Sequence, residues 1–174
     1  MSLNPKIKIV PLSKQDSVLS KTEVEKIVGI HIPESLVKLL PSDGQAAGFN
    51  MTVEIEPQEK NPLVGSNNKQ AVSTLFGLGR GDHGIVSEFE RLKDRIHGNC
   101  IPIADDSLGN AFVIDTLTRN VLFWHHECQD GEGSPAALSL VSRSMEDFID
   151  GLLPGTEPNS EDLNRGVKRV RFDF

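Results

Sequence analysis

The sequence predicts an α+β fold: a mainly antiparallel sheet that ends in a C-terminal meander, with helices packed against it. Two observations predict it. Apolar residues recur at helical spacing in four stretches, near residues 20–29, 33–41, 85–96 and 144–153. Between residues 101 and 126, three apolar runs follow so closely that only tight turns fit between them. Parallel neighbours would need a crossover of a dozen residues or more, so these runs pair antiparallel. A length of 174 residues, with 37% hydrophobic and 25% charged, suits one soluble domain spanning 1–174 with its own core.

Each element has a local cause. Ser20-Lys21-Thr22-Glu23 fits a capping box, in which the serine hydroxyl and the glutamate satisfy each other's backbone amides. Val24, Ile27 and Val28 follow as the apolar stripe and Gly29 stops the helix. Pro33 opens a second helix, with Leu36, Leu39 and Leu40 inward and Pro41-Ser42-Asp43-Gly44 as its terminating turn. Phe49, Met51, Val53 and Ile55 alternate with polar residues, which predicts one half-buried strand. Residues 57–70 are polar and rich in Gly, Asn and Pro, a long loop of the functional or mobile kind. A short strand is expected at Leu75–Leu78, then a helix over Ile85–Ile96 with Val86, Phe89, Leu92 and Ile96 inward. The meander strands lie near 101–104, 111–115 and 120–126, before a last helix carrying Met145, Phe148, Ile149, Leu152 and Leu153. Residues 154–174 form a charged extension, acidic and then basic, whose Val170, Phe172 and Phe174 alternate like a strand.

Charge and cysteine usage exclude some functions. There are 25 acidic and 18 basic residues, a net charge of −7, so the basic footprint of a nucleic-acid binder is missing. An acidic surface favours basic partners or serves solubility. The N-terminus has no apolar signal core, and no run approaches the ~18 apolar residues of a membrane span, so the chain reads as cytoplasmic. Cys100 and Cys128 are expected at opposite ends of a sheet, beyond the ~7 Å Cα limit of a disulfide, and read as free thiols.

Three motifs bear on chemistry. Gly79-Arg80-Gly81-Asp82-His83-Gly84 spells G-x-G-x-x-G before a helix, the context of a dinucleotide fingerprint. The chain then enters a meander instead of further βαβ units, so a flexible strand-to-helix corner is the stronger reading and a nucleotide or small molecule the weaker one. His125-His126-Glu127-Cys128 offers four metal-capable side chains, but strand alternation lets only two converge, where zinc takes three or four ligands. Even with Asp105 or Asp106 added, no metal site is expected, and no cofactor. Asp105-Asp106-Ser107-Leu108-Gly109-Asn110 is a turn first, because Asp and Ser bond nearby backbone while Gly and Asn accept positive φ. No catalytic motif is present, so the chain reads as a non-enzyme. Trp124, the sole tryptophan, is either core or an anchor lining a groove.

The ordered segments Pro33-Glu34-Ser35-Leu36, Ser42-Asp43-Gly44, Phe76-Gly77-Leu78, Ile101-Pro102-Ile103-Ala104-Asp105, Gly109-Asn110 and Val121–Glu127, with a closing helix at Ser144–Leu153, resemble the SUKH superfamily. That group takes in fungal cell-wall (glucan) synthesis regulators and many bacterial immunity proteins. The resemblance covers residues 20–153 and leaves 154–174 outside. It implies the same α+β fold and a non-enzymatic role: binding and neutralising a bacterial toxin, often a nuclease, or serving as a regulator or scaffold for another protein. A nuclease toxin has a basic cleft, because it must hold phosphates. The expected partner surface is therefore carboxylate-rich, drawn from Asp43, Asp105, Asp106 and Glu127, with Trp124 and His126 beside them.

Overall fold

The computed structural model describes residues 2–12, 18–64 and 66–155. In chain order the strands and helices are β1 (Ile9–Pro11), α1 (Lys21–Val28), α2 (Glu34–Leu39), β2 (Ala47–Phe49), β3 (Val53–Ile55), β4 (Gln70–Val72), β5 (Thr74–Leu75) and α3 (Ile85–Leu92). There follow β6 (Cys100–Asp105), β7 (Ala111–Asp115), β8 (Val121–Trp124), a 3-10 turn at Pro135–Ala137, β9 (Leu138–Ser142), α4 (Met145–Asp150) and β10 (Leu153–Pro154). A seven-stranded sheet runs β1-β2-β5-β6-β7-β8-β9 and a three-stranded sheet runs β10-β3-β4. Every pairing between these strands is antiparallel. The fold is α+β, as the sequence predicts.

The capping box at Ser20 and Glu23 forms, and Gly29 closes α1 at φ 72°. Val24 and Val28 are buried, but Ile27 faces solvent, so the α1 stripe is narrower than its spacing predicts. The supposed strand Phe49–Ile55 is two strands in two sheets. Asn50 breaks it: its backbone N–H donates to Lys8 O, and its side-chain oxygen accepts from the Lys8 N–H at 2.7 Å. Period-two alternation continues across that bend and so conceals it. The strand expected at 75–78 begins earlier, at Thr74, and stops at Leu75. Gly77 and Leu78 then form bonds with the turn at Gly44 and the loop at His83. The last two helices are shorter than their apolar spacing predicts, because Ile96 and Leu152 are buried beyond the helix ends. Strand β9, Leu138–Ser142, carries serines at 139 and 142 and shows no clear apolar alternation. Its outer edge is covered by the long loop, where the Gln58 and Glu59 amides donate to Val141 and Leu140 carbonyls. Covering an edge in this way prevents stray strand pairing.

The central strands are buried on both faces. Ile101, Ile103, Phe112, Ile114, Val121 and Phe123 point into the main core with Leu36, Ile85 and Phe148. Phe112 lies 5.2 Å from Phe123 and 5.4 Å from Phe148, centroid to centroid. Alternate residues Ala111, Val113 and Trp124 join Leu92, Ile96, Cys100 and Ala137 in a second cluster. A bulge between Pro102 and Ala104 sends Ile103 and Ala104 to the same core. Helix α3 bridges the two, with Ile85 and Val86 in one and Leu92 in the other. Its first turn is thereby held beside the end of β6. The strand-like segment ending at Phe174 lies outside the described residues.

Candidate functional site

The two adjacent carboxylates of the 105–110 turn do different work. Asp106 is 2% exposed and turned inward. Its Oδ1 accepts from the Leu108 and Asn110 amides, and its Oδ2 accepts from Asn110 Nδ2 at 2.8 Å. Asp105 ends β6 opposite Thr74 of β5 and Ala111 of β7, and its Oδ1 accepts from the Ser107 amide at 3.2 Å. Burial pushes its carboxyl above the ordinary carboxylate value, against the pull of the Ser107 amide, His83 and the Thr74 hydroxyl. Ser107 and Gly109 hold positive φ, 63° and 94°. Leu108 is left at the tip, 70% exposed.

The glycine-rich loop before α3 meets this turn. His83, itself at φ 59°, places Nδ1 3.6 Å from Asp105 Oδ2. Gly84 in the loop and Gly77 just before it are packing residues. A Cβ on Gly84 would stand 2.4 Å from the Gly79 carbonyl oxygen, and one on Gly77 2.3 Å from the Ala46 amide nitrogen. The loop's amides are used internally: Gly81 donates to the Ser87 hydroxyl, Gly84 to Gly81 O, Ile85 to Gly77 O and Val86 to Gly79 O. A pyrophosphate at a helix N-terminus needs such amides free. The strands flanking α3 are also antiparallel neighbours, β5 against β6, where a dinucleotide fold places parallel ones.

Between this loop and the turn lies an open cleft of about 520 Å³, lined by Thr74, His83, Glu88, Arg91, Asp105, Ser107, Gly109 and Asn110. Glu88 is engaged by Arg91 through both Nε and Nη2. Sequence reasoning had Asp105 and the loop containing His83, but as separate motifs. Thr74, Glu88 and Arg91 carried no signal, because register and helix docking bring them here.

The remaining expected residues divide. His126 joins the turn: its amide and Nδ1 approach Asn110 Oδ1 at 3.1 and 2.7 Å. Its ring packs where a Cβ on Gly109 would meet it at 3.2 Å. Glu127 is 77% exposed beside it, its Oε1 3.8 Å from His126 Nε2. Strand β8 ends at Trp124, so residues 125–128 form a turn and the strand-alternation argument does not apply to them. Among the described residues no three His, Cys, Asp or Glu side chains converge as metal ligands. Trp124 is wholly buried, Nε1 donating to Glu132 O at 2.8 Å, with the Arg95 guanidinium 5.2 Å over its ring. It is core, not the wall of a groove. Arg95 in turn pairs bidentately with Glu132. Asp43 is exposed in a separate turn, accepting from the Gln45 amide. Cys100 and Cys128 are both free and both pack against the second cluster, with the length of β7 between them: Cys100 pairs with Asp115 and Trp124, just before Cys128, with Ala111.

The model of the SMI1 / KNR4 family (SUKH-1) matches residues 20–151. This chain belongs to that family. The match takes in α1 through α4, and therefore both arms of the cleft in this SUKH-1 protein. No curated protein and no solved structure matches it. None of its described helices is long and apolar enough to cross a membrane.

Proposed function

We propose that this SUKH-1 protein is a non-enzymatic protein-binding module, an immunity protein that neutralises a basic toxin of the nuclease type. The observation that carries the reading is the surface around Leu108. A large apolar side chain stands exposed on a turn fastened from within by Asp106 and Asn110, with Glu127 and the cleft beside it. An apolar side chain on a preorganised turn can be buried by a partner at little cost in ordering. Net charge −7 adds steering toward a basic partner. Asp105 and Glu127 are the carboxylates of the expected set that this face offers, Asp106 being spent inside the turn.

The test is co-expression with the toxin-like product of an adjacent gene. Rescue by the wild type and loss of rescue by a folded Leu108→Asp protein support the reading. Equal rescue by both removes this face, and no rescue by either removes the toxin pairing and leaves a regulatory or scaffold role for the same fold.

A further inference from the structure

We propose that the cleft between α3 and the 105–110 turn seats one basic side chain of the partner, an arginine guanidinium or a lysine ammonium, on Asp105. This rests on the protein-binding reading and names the chemical group the site takes.

The carboxylates around the cleft are not equivalent. Glu88 is occupied by Arg91, and Asp106, behind the wall, already accepts from Leu108 and Asn110. Asp105 receives the Ser107 amide and the Thr74 hydroxyl, while a carboxylate has about four lone-pair sites. His83 Nδ1, at 3.6 Å, stands beyond hydrogen-bond reach of its Oδ2. Asp105 is thus the wall carboxylate that no arginine or lysine of the described residues already neutralises. Its side chain is only 18% exposed, so water compensates its charge poorly. Burial raises its pKa for the same reason, and an entering cation supplies what solvent cannot. An anion would meet the same carboxylate and be repelled.

The probe is a blocked arginine dipeptide, with a blocked aspartate dipeptide as control, titrated into the full chain and followed by amide NMR shifts. We expect saturable shifts at Thr74, His83 and Ser107–Asn110 from the arginine peptide alone. Binding should weaken about tenfold in Asp105→Asn, as for a lost charge-assisted bond. It should vanish in Ser107→Lys, which brings the chain's own cation to the rim, and persist in Glu146→Gln on α4. Shifts scattered over the acidic surface, equal binding by Asp105→Asn, or no shifts at tens of millimolar peptide would each overturn the proposal. Because no toxin is present, failure of rescue in the co-expression test leaves this result standing. Loss of the shifts with rescue intact removes only the cation seat.

Discussion

Asn110 donates from Nδ2 to Asp106 Oδ2 at 2.8 Å, and that contact fixes which end of the amide faces His126. With Nδ2 committed, Oδ1 receives both the His126 backbone N–H and its ring Nδ1. The oxygen can only accept, so His126 carries its proton on Nδ1 when neutral and leaves Nε2 as the open nitrogen. Long-range nitrogen–proton NMR of labelled histidine should report the Nδ1–H tautomer in the wild type. It should report a mixture in Asn110→Ala, and an Nε2–H wild type would contradict the network.

The same network predicts stability. Asp106→Ala strands the buried Asn110 amide and Asn110 Nδ2 and frees the Leu108 amide at the exposed tip. Each unsatisfied buried donor costs about 1–3 kcal/mol, so a total loss of about 3 kcal/mol is expected in urea unfolding. A loss below about 0.5 kcal/mol would mean the turn holds without its inner carboxylate.

Asp105 should behave oppositely. Its folded pKa lies above the ordinary 3.8, so its contribution to stability is full below that value and is lost as pH rises through the folded pKa. Ionised Asp105 therefore weakens the fold at neutral pH. Asp105→Asn should melt no lower than wild type at pH 7, and its advantage should shrink as pH falls toward 3.8. A lower melting point at pH 7 would reverse the sign.

Trp124→Ala should cost about 3–5 kcal/mol, the usual range for emptying a large aromatic site. Arg95→Ala removes the guanidinium over the indole and the Glu132 pair, and should shift the lone tryptophan's emission to longer wavelength. Unchanged emission would show that the pair does not shield the ring.

The glycines of the 79–84 loop should separate by position. Gly84→Ala drives a Cβ to 2.4 Å from the Gly79 carbonyl, and a cost of about 3 kcal/mol is expected. Gly81 faces open space at φ 99°, so Gly81→Ala carries only the backbone penalty of about 1–2 kcal/mol. Equal costs would argue that the motif is not held by backbone contact.

These sites also show what a sequence can carry. Turn chemistry is local, so Asp105–Asn110 was readable as a turn, and the capping box at Ser20 likewise. The split between Asp105 and Asp106 is not local, because pairing of Thr74 with Asp105 decides which carboxylate faces the cleft. The glycine motif left a phosphate cradle open as the weaker reading, because spacing alone does not say whether the amides are free. Trp124 was open between core and groove, since the residues that close over it, Arg95 and Glu132, come from other segments. The bend at Asn50 was invisible because apolar alternation runs through it.

The most direct test of the recognition face is a hydrogen-exchange footprint of the full chain with and without the toxin-like product of an adjacent gene. Protection should concentrate on residues 105–110, on the loop at His83 and on the turn at Glu127. Protection centred instead on α1, α4 or the 57–69 loop, with these segments unchanged, would contradict the account.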